Sequence, residues 1–357
     1  MSTPPNWSRT NRLIVRAVEK LGGRALPVSS EHTDFFLRLE AAGKSALISK
    51  TRSPFLTQVA QTLANNKFVA GECLGARGFP VVPRLLLDES RGLDTPGVSQ
   101  SLDGWGRLVF KPNWGNRALG VTVDPPASRR EAAVEWARGE DRDEECVVEP
   151  WVEGVDLRIS VVGGRPVAAV EIQRPSIASA SGISFRERLQ NLAADPRRVH
   201  WQRPRLEALD HFEPEDYEDA LDVLGYSLDD EVPAGLDWTI LGEEVEVVDR
   251  RSEVHVEWFE LAAQACRVLG VDVGGVDLRG PLEAFARPPV IEAWSQGRPV
   301  ARLLEVNALP ALHLHELVTQ GEPVAVFEAF VRYCLQLEGA PAPGGAPRLD
   351  LGWPAPR

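Results

Sequence analysis

Lys111 lies at the end of an apolar run, directly before a loop in which glycines recur, in the stretch LVFKPNWGNRALGVTV over residues 108–123. Gly115 and Gly120 permit tight backbone turns, and successive backbone N–H groups in such a loop can form a concavity that binds phosphate oxygens. Lys111 would add a full positive charge at the mouth of the loop. The sequence contains neither a Walker loop nor a dinucleotide-binding glycine fingerprint, so an ordinary surface turn remains the alternative interpretation.

A second group of residues offers oxygen ligands. In LLEVNALPA, Glu305 and Asn307 lie two residues apart, so a strand would project both side chains to the same side. Asp277, in the stretch GGVDLRG, could join them from an adjacent strand. Two carboxylates and an amide oxygen are hard ligands of the kind that magnesium takes together with phosphate oxygens. Water-exposed acids at strand ends are the alternative.

A third stretch, VVEPWVEGVDLRI, places acids and an aromatic residue after a predicted strand. Glu149 and Trp151, with Asp156 beyond a glycine turn, would form a hinge against which a planar base lies. Acids at strand ends are common, so this pattern discriminates little by itself. The stretch HLHE at 313–316 has two histidines and one acid, which is an incomplete zinc set, and we predict a loop at a substrate mouth there.

Composition narrows the class of partner. The formal net charge of -13 and the pI near 5.1 exclude electrostatic binding of nucleic acid or of an anionic membrane over a broad surface. An anionic ligand would need a local positive pocket. The sequence has five lysines among its 39 Lys and Arg residues, with none after Lys111. Lysine is a compact point charge often set against phosphate, which draws attention to Lys67 and Lys111.

The sequence gives no sign of a disulfide framework, a zinc knuckle or a targeting segment. Its four cysteines are far apart and form no CxxC pair, so we expect reduced core residues. The amino terminus has no long apolar stretch, which predicts neither a signal peptide nor a membrane span. Cytoplasm is the expected location.

Hydrophobic periodicity predicts an α+β fold with hairpins rather than a strict βαβ alternation. The clearest hairpin signal is Gly163-Gly164 between two strand-like runs. Residues 88–106 are predicted as a polar loop, and 176–235 as loops with short helices. Further predicted helices cover 9–22, two segments within 54–79, 130–139, 256–269 and 322–339, and further predicted strands lie in 24–51, 81–87, 107–111, 145–154, 273–280 and 301–307.

In this order, these stretches resemble the ATP-grasp ligases, above all the ATP-grasp domain of cyanophycin synthetase and N-acetylglutaminylglutamine synthetase. The likeness runs from about residue 50 to 335 and includes VAQTLANNKFVAGECLGARGFPVVP, IQRP and DPRR. It implies an ATP-grasp fold in which two α+β lobes clasp ATP. The implied parts are a small amino-terminal domain (1–65), an N-lobe with a glycine-containing flap (66–148), a C-lobe with the magnesium ligands (149–338) and a flexible Pro/Gly-rich tail (339–357).

The resemblance also implies a role for each matching residue. Lys67 and Lys111 match the lysines that contact nucleotide phosphates, and the loop from Asn113 to Gly120 looks like the flap over them. The residues implied for the flap, the adenine hinge and the ribose contact are Asn113, Gly115, Asn116 and Gly120, then Glu149, Trp151 and Val152, and last Asp156. Asp277, Glu305 and Asn307 match the ligands of Mg²⁺, with Mn²⁺ as an alternative ion. Catalytic roles fall to Arg174, near the reacting carboxylate and phosphoryl group, to Arg158 beside it, and to Lys111.

The implied activity is that of an ADP-forming carbon–nitrogen ligase. It would join amino acids, small peptides or related metabolites by an amide bond, through an acyl phosphate. The expected partners are small molecules, with neither nucleic acid nor membrane, and homo-oligomerisation stays open. Two alternatives remain, namely a catalytically degenerate ATP-binding regulatory or assembly protein and a kinase of a small metabolite.

Several positions depart from the pattern of these ligases. Ala118 and Ala311 stand where relatives usually have glycine, and Ser181 stands where they have an acid. A stretch like NLSTGG is missing between residues 235 and 252. These changes lie mostly at the acceptor end, so the carboxylate, the amine and the length of the product stay open.

Overall fold

A computed structural model of the chain describes residues 8–28, 35–115, 118–178, 182–194, 213–241, 246–292, 294–295 and 300–342. The helices are Arg9–Lys20 (α1), Gln58–Asn65 (α2), Lys67–Gly75 (α3), Val98–Trp105 (α4), Arg130–Gly139 (α5), Phe185–Ala193 (α6), Glu218–Leu224 (α7), Val256–Leu269 (α8), Leu282–Phe285 (α9), His313–Glu316 (α10) and Val326–Cys334 (α11). Short 3-10 turns lie at Ala127–Arg129 and Pro214–Tyr217.

The strands form antiparallel sheets. They are Arg24–Pro27 (β1), Leu37–Ala41 (β2), Lys44–Ile48 (β3), Leu85–Leu87 (β4), Leu108–Pro112 (β5), Thr122–Val123 (β6), Cys146–Pro150 (β7), Val155–Val162 (β8), Arg165–Gln173 (β9), Ser176–Ala178 (β10), Asp237–Thr239 (β11), Glu246–Asp249 (β12), Val273–Gly280 (β13) and Arg302–Asn307 (β14). The sheet orders are β1-β2-β3, β4-β7-β5-β6, β10-β11 and β12-β9-β8-β13-β14.

The five-stranded sheet is the centre of the C-lobe. Strands β8 and β9 form the predicted hairpin, and both turn glycines, Gly163 and Gly164, have positive φ. Side chains alternate across a strand, so Leu157 and Ile159 of β8 pack against α3 and α8 on one face. The even-numbered residues of β8, including Asp156 and Arg158, therefore project from the opposite face.

The four-stranded sheet belongs to the N-lobe. Phe110 of β5 and Val148 of β7 pack with α4 and α5 in one apolar cluster. Helix α4 is a difference from the sequence prediction, which placed a loop at 88–106. Its buried residues Val98 and Leu102 are four positions apart on one helical face, but the polar residues around them hide this short periodicity.

A segment of residues 176–239, which we call the bridging segment, connects β9 to the strand β12. Its described part contains β10, α6, α7 and β11 around its own apolar cluster. Val223 of α7, however, packs into the N-lobe cluster. Arg129 donates hydrogen bonds to the carbonyls of Val223, at 3.2 Å, and Asp222 at the carboxyl end of α7. The bridging segment thus joins the C-lobe to the N-lobe at a second place.

The amino-terminal sheet shares its core with the C-lobe. Leu37 and Ile48 lie in one apolar cluster with Val170 of β9 and Phe330 of α11, and α1 packs on α11. The division of the chain at residues 65, 148 and 338 stays a prediction. All four cysteines are buried and unpaired, as expected. Within the described ranges, no helix has the length and apolar character needed to cross a membrane.

Gly154 follows β7 at the passage between the lobes, and its backbone requires glycine. Its φ is +125°, and a Cβ built there would lie 2.1 Å from the carbonyl carbon and oxygen of Gly280. We expect Gly154→Ala to lower the free energy of unfolding by at least about 3 kcal/mol, because backbone strain and overpacking add. Gly164→Ala, at φ +73° with no atom within 4 Å of the added Cβ, should cost only about 1 kcal/mol. Urea denaturation compares the two, and equal losses would contradict this account.

Candidate active site

Three neighbouring strands of the C-lobe sheet bring an arginine and two acids side by side. Asp277 of β13 is in register with Arg158 of β8 and with Glu305 of β14. Arg158 donates from Nε to Asp277 Oδ1 at 2.6 Å and from Nη2 to Asp277 Oδ2 at 2.7 Å. Both oxygens of Asp277 are therefore held by a planar guanidinium.

Asn307 lies between the two acids. Its Nδ2 donates to Asp277 Oδ2 at 2.8 Å and to Glu305 Oε1 at 2.9 Å. The two carboxylates that share this amide donor create an environment that favours positive charge. Rotating the Asn307 amide by 180° would place its oxygen where its nitrogen now lies, and the oxygen could then bind a cation. Two carboxylates with an amide oxygen suit a divalent cation such as magnesium. In the described ranges no three His, Cys, Asp or Glu residues form a metal-binding group, so a cation here would also need Asn307.

The charges of two lysines act on one of these acids. Burial opposes the ionisation of Glu305, but the positive charges of Lys67 and Lys111 hold its pKa below the usual value. Burial raises the pKa of Asp277, although Arg158 acts against it. The structure thus brings the two predicted lysines close to Glu305, which shares Asn307 with Asp277.

Lys111 belongs to a buried group of charges. Its Nζ lies 2.5 Å from Glu149 Oε2, and Arg84 Nη2 lies 3.1 Å from Glu149 Oε1. The exposed fractions of the three side chains are 9%, 4% and 2% for Lys111, Glu149 and Arg84. Both oxygens of Glu149 thus have a cationic partner. The role of Glu149 in binding an adenine base stays a prediction. Because both of its carboxylate oxygens are engaged, the contact with the base would have to come from the backbone of this segment.

Lys67 holds the start of the glycine loop. It is the first residue of α3, whose cap is Asn66. Its Nζ donates to the carbonyl oxygen of Gly115 at 2.6 Å and to that of Pro112 at 3.1 Å. Burial lowers the pKa of Lys67 to about 8. An anion that bound Lys67 would take the place of these carbonyl groups.

Asn113 ties the loop to its surroundings. Its Oδ1 accepts from the backbone N–H of Phe68 at 2.9 Å, and its Nδ2 donates to Glu145 Oε2 at 2.6 Å. With both ends of the amide engaged and the residue 1% exposed, Asn113 positions the loop. Its predicted contact with a ligand stays untested.

The glycines of the loop make room for a proline. A Cβ at Gly115 or at Gly120 would lie 2.9 Å or 2.7 Å from the ring of Pro112, and Gly120 has φ +72°. Ala118 has φ +59°, a left-handed conformation that costs a non-glycine residue about 1 kcal/mol. This strain fits the expectation that glycine is usual at this position. Asn116 lies outside the described residues.

The hinge residues contact two arginines. Asp156 accepts from Arg174 Nε at 3.0 Å and from Arg279 Nη1 at 2.5 Å. Burial opposes the ionisation of Asp156, but Arg174 and Arg279 hold its pKa below the usual value. Arg279 also donates from Nε to the carbonyl oxygen of Val152 at 2.6 Å and stacks 4.0 Å above the ring of Trp151. A ribose hydroxyl would have to share Asp156 with these arginines.

Arg279 and Arg84 contact predicted site residues, but neither arginine was predicted as a site residue from the sequence. Arg279 could have been found, because it lies two residues after Asp277 and so projects to the same side of β13. Arg84 carried a weaker signal, namely the glycine at position 71 inside a predicted helix. An isolated glycine in such a pattern often marks a close approach of another group.

The HLHE stretch is a short helix, α10, and not the predicted loop. Its His315 is fully buried, with Nε2 lying 2.6 Å from Ser160 Oγ. Burial lowers the pKa of His315 to about 3, so the imidazole is neutral. Ala311 has no positive φ, so this departure from glycine needs no strained backbone. The predicted motif DPRR at 195–198 and the departure at Ser181 lie outside the described residues.

The two α+β lobes form an ATP-grasp fold, as the resemblance implies. The bifunctional glutathione synthetase of Pasteurella multocida matches 93% of this chain and 44% of its own length, with a TM-score of 0.56 and 19% sequence identity. No protein-family profile matches the chain.

Two curated proteins are similar in sequence to most of this chain. Cyanophycin synthetase of Trichormus variabilis is 26% identical over 320 residues, which are 87% of this chain and 33% of the relative. The glutathione biosynthesis bifunctional protein GshAB of Streptococcus mutans is 24% identical over 269 residues, 72% of this chain and 33% of that protein. The chain thus spans about a third of the length of these curated relatives.

The lowered pKa of Lys67 predicts a change of stability with pH. Its pKa is about 8 in the folded protein against an ordinary value of 10.5, so between these values the unfolded chain holds a proton that the folded chain lacks. The free energy of unfolding then rises with pH in this window. Relative to Lys67→Met, the wild type should gain stability between about pH 7 and about pH 10, by roughly 1.4 kcal/mol per unit of pKa difference.

Denaturant titration of both proteins measures this gain. Lys20 is the matched control, because its hydrogen bond to Glu328 raises its pKa. Against Lys20→Met, the wild type should show no gain of stability over this window, because a pKa raised above 10.5 changes stability only at higher pH. A Lys67→Met difference that stays constant over the window would contradict the prediction.

Proposed function

We propose that the chain is an ATP-dependent carboxylate–amine ligase that forms an amide bond between amino acids, small peptides or related metabolites. The observation that carries the proposal is the grouping of charges around Glu305. Lys67 and Lys111 on one side are close enough to the acid Glu305 on the other to lower its pKa. A triphosphate with its metal ion suits this arrangement, since the lysines match its oxygens and the acids match the cation.

The ATP site would be built from three parts. Lys67 and Lys111 would bind phosphate oxygens, with the loop around Gly115 above them. The adenine would lie at Trp151, whose buried Nε1 has no hydrogen-bond acceptor within the described part of the chain. Asp277, Glu305 and Asn307 would hold Mg²⁺, which supplies charge neutralisation for the transferring phosphoryl group.

The acceptor end is cationic. Arg158 and Arg174 would hold the substrate carboxylate for attack on the γ-phosphorus, with ADP as the leaving group and an acyl phosphate as the product of this step. The amine nitrogen then attacks the acyl carbon, and phosphate leaves. Such chemistry asks the protein for positioning and charge stabilisation and needs no nucleophilic side chain. The relatives named above, cyanophycin synthetase and a glutathione biosynthesis protein, support this reaction class.

The proposal extends to partners and location. The substrates would be small amino acids or peptides rather than nucleic acid or membrane, in keeping with the net charge of -13. The protein would act in the cytoplasm, where ATP is available. Whether it forms homo-oligomers stays open.

A screen of amino acids and short peptides in pairs tests the activity through release of ADP and phosphate. We expect turnover with at least one pair, and Lys111→Ala and Glu305→Ala should each lower it by about 100-fold or more, because each removes a preorganised charge. The matched controls are Lys20→Ala and Glu328→Ala, which together form an exposed ion pair away from the cleft. They should retain wild-type turnover.

Two outcomes would replace the proposal. ATP binding without turnover on a wide panel would favour the degenerate regulatory or assembly protein. A phosphate ester instead of an amide in the product, identified by mass spectrometry, would favour the small-metabolite kinase.

A further inference from the structure

Arg84 lies at the junction of the two lobes, directly before β4. Its side chain is 2% exposed. Nη2 lies 3.1 Å from Glu149 Oε1 and donates to the carbonyl oxygen of Leu304 at 3.3 Å. Nη1 donates to the carbonyl oxygen of Lys67. One guanidinium therefore contacts the helix α3 and the strands β7 and β14.

Each of these partners adjoins a residue of the proposed ATP site. Glu149 holds Lys111 Nζ with its second oxygen at 2.5 Å. Lys67 is bound through its own carbonyl group. Leu304 directly precedes Glu305, the proposed metal ligand. Arg84 thus connects, through one planar group, the segments that carry Lys67, Lys111 and Glu305.

The surrounding structure is built to admit this side chain. A Cβ at Gly71, inside helix α3, would lie 2.3 Å from Arg84 Cζ and 2.4 Å from Nη1. A buried cation is tolerated only when acceptors replace its lost water, and Arg84 has acceptors on all three nitrogens, including the carbonyl oxygen of Val82 for Nε. Lysine could not replace it, because an ammonium group lacks the rigid fork of donors.

We propose that Arg84 is a positioning residue, which sets the placement of Lys67, Lys111 and Glu305 for binding the triphosphate. It touches no ligand itself. The inference rests on the proposed binding of ATP, but it does not depend on which bond the enzyme forms afterwards.

Isothermal titration of ATP, ADP and adenosine in the presence of Mg²⁺ tests the role. Arg84→Met should weaken ATP and ADP binding by about 10- to 100-fold, the range seen when a residue that orients a ligand-contacting group is removed. Adenosine binding should stay within about 2-fold, because adenosine has no phosphates for the lysines to contact. An equal loss for adenosine and ATP, or no loss for ATP, would overturn the proposal.

Arg250→Met is the matched control. Arg250 also pairs with a buried glutamate, since its Nη2 lies 2.6 Å from Glu171 Oε2, but none of its contacts in the described chain joins the lysines or Glu305. It should bind ATP as the wild type does, even if both variants lose similar amounts of stability. Arg84→Lys keeps a positive charge at Glu149 and provides a milder variant if Arg84→Met does not fold. It should still weaken ATP binding, and wild-type affinity would overturn the proposal.

A double-mutant cycle separates positioning from general damage. If Arg84 acts through Lys111, the effect of Arg84→Met on the Kd for ATP should shrink in the Lys111→Ala background, because coupled residues are not additive. Full additivity would contradict the role. A wild type that binds ATP without forming product would refute the ligase proposal alone, whereas a wild type that binds no ATP would refute both.

Discussion

Buried charge in this fold requires a partner of opposite charge, and the cleft follows from that requirement. Removing an ion from water costs several kcal/mol unless another charge or a set of hydrogen bonds replaces the solvent. Asp277 is held by Arg158, and Glu149 by Lys111 together with a second cation. In each pair the acid and the base come from neighbouring strands of one sheet, so these groups can be buried only when those strands have paired.

This pairing makes the charges of the predicted site largely self-neutralising. Asp156 is shared by Arg174 and Arg279, and Lys67 is bound by backbone carbonyl groups of the glycine loop. A nucleotide with its metal ion would therefore exchange partners with the protein, and would not enter an empty charged pocket. The free energy of binding would depend on the difference between the contacts that these charges make within the protein and the contacts that they make with the nucleotide and its metal ion. Such exchange favours specificity, because an anion without a metal would satisfy the lysines and leave the acids unchanged.

The sequence predicted the elements that have strong local signals. The hairpin at Gly163-Gly164 and the helix ending at Gly270 occur as expected, since glycine in the left-handed region ends or turns the chain in a recognisable way. The spacing of Glu305 and Asn307 also predicted their common face on one strand. The prediction that residues from distant segments come together at one site was based on the resemblance to ATP-grasp ligases.

What the sequence did not predict depends on contacts between distant segments. The register that sets Asp277 between Arg158 and Glu305 arises only when β8, β13 and β14 pair. The use of Glu149 as the anion between Lys111 and Arg84 depends on the pairing of β7 with β5 and β4 in the four-stranded sheet, and no local pattern records it. Helix α4 was missed because its apolar face has only two buried positions.

The contact between Arg129 and the carboxyl end of α7 limits how the two lobes can swing apart. They are already connected by the chain near Gly154 and through Arg84, and the bridging segment provides a further attachment on the N-lobe. If the N-lobe rotated about the chain near Gly154, either α7 would have to move with it or Val223 would have to leave the apolar cluster of the N-lobe. If the bridging segment moved with the N-lobe, it would move relative to the C-lobe sheet from which its chain continues. Separation of the lobes would then require a coordinated movement of the N-lobe, the bridging segment and the C-lobe, and not a rotation of the N-lobe alone.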